Sequence, residues 1–342
     1  MGRMTQRMVT TGFIMAFLGI VLAGANIAGA ETPEEFYRGK TLTIVTTPPG
    51  ASPDLMSRVV AQFLAKEIGA KVKVENRKVD ETMNYVYRQG ARGSLILGIH
   101  TIDSIIGNDI LKAPGVQYET EKFNFVADIY PAVRLLQLSP KLPYKTLDAL
   151  RKAKGLRGGG TSAKGAIAVS TAVMFELLGL DGKVISGFKG KKDLTLAMAR
   201  GEIDCMSTSD STAAMDEQDG YVVNLMATGN KRSSVVPHVP TILELGVKIP
   251  KELESIHAFT IAGGMSVALP PDVPQERVEY LRNAFQNLNN NKDLQKGMEK
   301  VTKNWTPFVP GQSLQQQMIA MKADKEAATK LDIIFNKYTA RR

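Results

Sequence analysis

A β-branched apolar run from Thr41 to Thr47 stops at Pro48-Pro49-Gly50, and apolar residues then recur at helical spacing through Leu55, Met56, Val59, Val60, Phe63, Leu64 and Ile68. The run reads as a strand buried on both faces, and the residues after it read as a helix with Ser52 placed to cap and Pro53 at a permitted first-turn position. The same grammar continues with a strand at 71–75, a helix at 81–89 and a strand at 94–98. It restarts after Pro131 with a strand at 134–138, helices at 147–154 and 166–178, and strands at 184–187 and 203–207 around a helix at 194–199. Such alternation builds an α/β fold of mostly parallel sheets with helices on both faces, in two units. A strand at 222–227 is expected to return towards the first unit, and the C-terminal part is helical at 275–288, 294–301 and 314–334.

Upstream of the first strand, Arg3 and Arg7 precede an uncharged apolar run from Phe13 to Ala25, and Ala28-Gly29-Ala30 supplies small residues before Glu31. This is the three-part pattern of an export signal over residues 1–30. The apolar run is short for a membrane span, which needs about 18–20 consecutive apolar residues. The expected mature chain is exported and periplasmic, and its formal net charge falls from +9 to +7. Its basic residues are spread along the chain, apart from groups at Lys189-Lys191-Lys192 and Arg341-Arg342, so no nucleic-acid partner is expected. Cys205 is the only cysteine and permits no internal disulfide. Stability must come from a hydrophobic core, for which 44% hydrophobic residues are ample.

Two loops have the composition of an anion site. The first, Pro48 to Asp54, contains Pro49, Gly50, Ala51 and Ser52 and joins a buried strand to a helix. Ligands of open α/β sheets bind outside the carboxyl ends of strands, where free N–H groups and the helix dipole favour an anion. Gly50 lets backbone approach a ligand closely; the alternative is a turn glycine with Ser52 as cap. Asp54 is expected to orient this loop. The second loop, Gly158 to Gly165, includes Gly160, Thr161, Ser162, Ala163 and Lys164 and reads either as an anion cradle or as a flexible connection. It lacks the spacing of a nucleotide-binding loop. Lys164 either adds charge to the clamp or is a solvated helix-start residue. The three histidines show no metal-ligand spacing, and no nucleophile motif is present. The chain therefore reads as a non-enzyme without metal or cofactor.

Several segments together resemble one family, the extracytoplasmic solute-binding proteins of tripartite tricarboxylate transporters, also called the Bug (TctC) family. They are Thr41 to Gly50 followed by Asp54 and Arg58, then Val74-Glu75-Asn76-Arg77, Gly159 to Gly165, Phe188-Lys189-Gly190 and Gly201 to Asp204. Most specific are Arg232-Ser233, Pro237 to Thr241, Glu244 and Gly246. The resemblance implies a two-lobed, Venus-flytrap periplasmic binding protein of type II-like topology. Residues 31–134 and 236–342 would form the first lobe and 135–235 the second. It further implies a monomer that captures a small organic acid between the loops and delivers it to membrane permease subunits. The far end of the solute would meet His100, Thr101, Ser209 or Asp210, with Phe188 and Lys189 lining the cleft. A sensor that presents its closed form to a membrane histidine kinase and an exported hydrolase are the rival functions. Where the family pattern is glycine-rich after Glu75-Asn76-Arg77, this chain has Lys78 to Met83, a bulkier and more charged segment.

Overall fold

The computed structural model describes residues 31–339 except Ser162, Ala163, Lys189 and Ala262. The expected export signal, Ser162, Ala163, Lys189 and the terminal arginines thus lie outside the described residues. The first stretch of chain forms α1 (Pro33–Tyr37), β1 (Thr41–Thr46), α2 (Ser52–Glu67), β2 (Lys71–Asn76), α3 (Val79–Tyr87), β3 (Ile96–Thr101), α4 (Ile102–Ile110) and β4 (Asn124–Asp128). It continues with β5 (Arg134–Leu138), α5 (Leu147–Lys152), β6 (Leu156–Gly160), α6 (Ala166–Leu178), β7 (Gly182–Ser186), α7 (Lys191–Arg200), β8 (Cys205–Ser209), α8 (Asp210–Gln218) and β9 (Val223–Ala227). The chain closes with α9 (Glu254–Ile261), β10 (Met265–Leu269), α10 (Gln275–Leu288), α11 (Lys292–Thr302), β11 (Val309–Pro310), α12 (Gly311–Ala323) and α13 (Lys325–Tyr338).

Two sheets result. The first has the order β11-β4-β10-β3-β1-β2 and the second β7-β6-β8-β5-β9. The α/β architecture is as expected, but both sheets are mixed rather than mostly parallel. β1 pairs in parallel with β2 and β3, whereas β10 runs antiparallel between β3 and β4. In the second sheet β6 is parallel to β7 and β8, and β5 is antiparallel to β8 and β9. The antiparallel strands are those entered where the chain passes between sheets, with no crossover helix to reverse its direction. The strand near residues 222–227 belongs to the second sheet instead of returning to the first, because the short turn after α8 lays it directly along β5. The return is made by β10.

Each sheet lies against helices whose apolar faces form the core. Leu64, Ile44, Leu97, Val267 and Phe285 are buried in one cluster on the first sheet, and Leu138, Phe175, Val184 and Tyr338 in another that includes the second. The last helix, α13, packs on α6, its Tyr338 ring edge-on to Phe175, and Thr339 bridges to Val184. α12 and α13 replace the single helix expected at 314–334, because Asp324 breaks the run and caps α13 by accepting from Ala327 N–H at 2.9 Å.

The glycine run 158–160 is strand rather than loop. A Cβ on Gly159 would lie 2.5 Å from Leu194 Cδ1, and one on Gly160 2.5 Å from Ala168 Cβ and 3.0 Å from Ala168 Cα. These glycines let α7 and α6 pack directly on β6, so the loop itself begins at Thr161. Gly160→Ala is therefore expected to overpack this contact and cost about 1–3 kcal/mol, read as a lower urea midpoint at unchanged slope. A wild-type midpoint would show that helix and strand separate freely.

Candidate functional site

The strand-to-helix junctions of both sheets converge on one cavity of about 970 Å³. The loop after β1 contributes Thr47 to Pro49 and Ala51 to Pro53, the β3–α4 junction His100, Thr101, Asp103 and Ser104, and the second sheet Thr161, Lys164 to Ile167, Lys191, Thr208 and Ser209. All lie at carboxyl ends of strands, where helix N-termini point their N–H groups into the opening.

The first loop is held from beneath. Ala51, not Ser52, is the N-cap of α2; its side chain makes no capping bond and Ser52 is already helical. The capping work falls to Asp54, whose Oδ2 accepts Gly50 N–H at 2.8 Å and whose Oδ1 accepts Asn76 Nδ2 at 2.7 Å and pairs with Arg58 at 2.9 Å. Asn76 also donates to Thr47 O at 2.7 Å. Burial raises the Asp54 pKa, but the bonds from Arg58, Asn76 and Gly50 outweigh it and hold the carboxyl below its ordinary value. Gly50 has φ +82°, a left-handed conformation that suits glycine. Asp54 and Gly50 thus shape the loop, while Pro49, Ala51 and Ser52 line the cavity.

Across the cavity, α6 begins at an N-cap, Gly165, that makes no side-chain bond, and its first turn carries no acidic residue. The other helices that open on the cavity each carry an acidic residue in the first turn: Asp54 in α2, Asp80 in α3, Asp103 in α4, Asp193 in α7 and Asp210 in α8. Lys164 stands just before α6 and donates to Leu111 O at 2.5 Å, tying this loop to the C-terminal end of α4. Among the described residues its ammonium has no carboxylate partner, unlike the other cations on the wall. Arg134 is paired with Asp103 and donates to Ser207 O at 3.2 Å; Lys191 is paired with Asp216. Burial lowers the pKa of Lys191 against the pull of Asp216, and raises that of Asp216 against Lys191.

The remaining expected residues divide. His100, Thr101, Thr161 and Ser209 line the cavity, whereas Gly160 is packed under Ala168 and Asp210 faces away. Burial holds the His100 pKa below its ordinary value, against hydrogen bonds to Thr101 and Val79 backbone. Asp210 starts α8 and accepts from Tyr130 Oη at 2.5 Å, Ser233 Oγ at 2.7 Å and Ser211 N–H at 2.9 Å. It anchors the second sheet to the segment that crosses from the first. Phe188 lines the cavity. Cys205 is fully buried in β8, and burial pushes its thiol pKa up, which leaves it inert. Sequence reasoning missed Asp103, Arg134 and Lys191. The signal for Asp103 was present, since residues 96–103 repeat the strand-to-helix grammar of residues 41–54.

Among the described residues no group of His, Cys, Asp or Glu is placed to hold a metal ion, and no helix is long and apolar enough to cross a membrane. No family model matches the sequence. The chain is 27% identical over 246 residues to Protein BugT of Bordetella pertussis, a match covering 68% of this chain and 74% of that protein. Among solved structures it shares the fold of a TctC solute-binding protein from Polaromonas, with TM-score 0.68 and 17% identity over 88% of this chain and 99% of that one. It likewise shares the fold of MatC from Rhodopseudomonas palustris with bound malate, with TM-score 0.65 and 19% identity over 86% and 99% of the two chains.

Proposed function

We propose, from the premise that this chain is a homologue of the Bug-family, TctC-type solute-binding proteins, that it is a periplasmic receptor for a small organic carboxylate. The observation that carries this is the uncapped, acid-free N-terminus of α6 with Lys164 beside it, opposite the Pro49 to Ser52 loop of the other sheet. Charged N–H to carboxylate bonds made in a cavity that closes over the solute are stronger than in solvent. Thr161, Lys164 and the N–H groups of α6 would clamp the carboxylate from one side and Ala51 and Ser52 from the other. The relative MatC has been seen with malate, which supports an anionic solute.

We place the lobe boundaries where the strands change sheet, near residues 134 and 236, with α13 counted in the second lobe because it packs on α6. The receptor would deliver its solute to membrane permease subunits. Thermal unfolding against mono-, di- and tricarboxylates, amino acids and neutral sugars tests the reading. A bound carboxylate at about 100 times its Kd adds about 2.7 kcal/mol, and Lys164→Met removes that gain without changing the unliganded Tm by more than a degree or two. Stabilisation by neutral solutes alone would overturn it.

A further inference from the structure

We propose that the solute is a monocarboxylate with an extended apolar body, and that Asp80 excludes a second carboxylate at the far end; this rests on the carboxylate-receptor reading above. The charges on the wall set the first half. Lys164 is the cation without a carboxylate partner among the described residues, while Arg134 and Lys191 are matched by Asp103 and Asp216. Lys164 offers its charge to one carboxylate, and a second carboxylate would gain a cation among the described wall residues only by displacing Asp103 or Asp216 from its ion pair, leaving that side chain an uncompensated charge.

The segment that departs from the family pattern sets the second half. Val79 and Asp80 open α3 and both line the cavity. Val79 is 53% exposed although apolar, so this part of the wall is uncovered. The half-buried side chains of Ile167 and Phe188 also line the cavity. Burying such a surface against hydrocarbon is worth about 25 cal/mol per Å², a gain a short diacid cannot realise. Asp80 carries no ion pair among the described residues, while its neighbours Lys78 and Glu81 pair with each other at 3.6 Å. An unneutralised carboxylate beside an apolar wall repels a second negative charge and tolerates a methyl or an aryl end.

Isothermal titration of the purified protein with hexanoate against adipate, and octanoate against suberate, compares acids of equal carbon number that differ in one terminal charge. The monoacid is expected to bind at least tenfold tighter in each pair. Asp80→Asn, a surface change, is expected to narrow the ratio at least threefold by improving diacid binding. A diacid that binds as tightly as its monoacid, or a ratio unchanged in Asp80→Asn, overturns the inference while leaving the receptor reading intact. Failure of every carboxylate to bind, with Lys164→Met indistinguishable from wild type, overturns both.

Discussion

Arg134→Met is expected to lower the unfolding free energy by about 3–5 kcal/mol and the Tm by on the order of 10 °C. Asp103 is 4% exposed and Arg134 7%. Removing the guanidinium leaves the Asp103 carboxylate buried with, among the described residues, Ser104 N–H at 2.8 Å as its remaining bonded donor. Burial already lowers the Arg134 pKa to about 10, the sign that desolvation opposes its charge. Asp103→Leu should cost about as much, because the guanidinium is then the stranded ion. The double variant should recover most of the loss, since hydrophobic replacement of a whole buried pair is often neutral. Urea unfolding of all four proteins measures the cycle. Additive losses would show that the two charges are independently solvated. The pair joins the start of α4, on the first sheet, to the start of β5, on the second, so solute affinity should fall in both single variants as well.

The second large effect is a pH dependence centred on Asp128. It sits at the end of β4, and its Oδ1 accepts Tyr130 N–H at 3.0 Å, from the segment that leads out of the first sheet, and Met265 N–H at 2.9 Å, from β10, which returns to it. Burial pushes its pKa up to about 7, against the lowering effect of those two bonds. The ordinary value in an unfolded chain is about 3.9. The native state therefore holds a proton that the unfolded state has lost between about pH 4 and 7. Its stability contribution is fully present below about pH 4 and is lost as the pH rises through 7, by up to about 4 kcal/mol at 1.36 kcal/mol per unit. Asp128→Asn keeps the acceptor for both N–H groups and cannot ionise. The variant should be more stable than wild type at pH 8, and the advantage should shrink as the pH falls and vanish only below about pH 4. His100, buried and neutral, adds an opposite dependence as the pH falls through its ordinary value, but it is common to both proteins and cancels in the difference. A constant difference across pH 5 to 8 would place the Asp128 proton elsewhere.

Much of the fold was legible because local chemistry dictated it. The helices at 166–178 and 275–288 fall where their apolar spacing and glycine or proline boundaries put them. The strand, turn and helix over 41–67 are legible from their local pattern alone. Asp54 was expected to orient its loop, and it does so through three nearby groups, two of them within four residues. The misreadings share a cause. Gly158 to Gly160 looked like a loop because glycine favours turns, yet here it answers Leu194 and Ala168, residues far along the chain. Asp210 looked like a ligand group because it follows a strand, yet Tyr130 and Ser233, 80 and 23 residues away, claim its carboxylate.

The sequence by itself determined the α/β class, the strand-to-helix junctions and the two loops that bracket the cavity, since periodicity, capping and glycine conformation act over a few residues. Only the tertiary structure decided which charges on the wall are neutralised. Arg134 meets Asp103 across 31 positions and Lys191 meets Asp216 across 25, while Lys164, among the described residues, meets a carbonyl and no carboxylate. Whether a cation is free to hold a solute depends on what the fold brings within about 4 Å of it, where Coulomb energy and desolvation are settled, and no local pattern carries that distance.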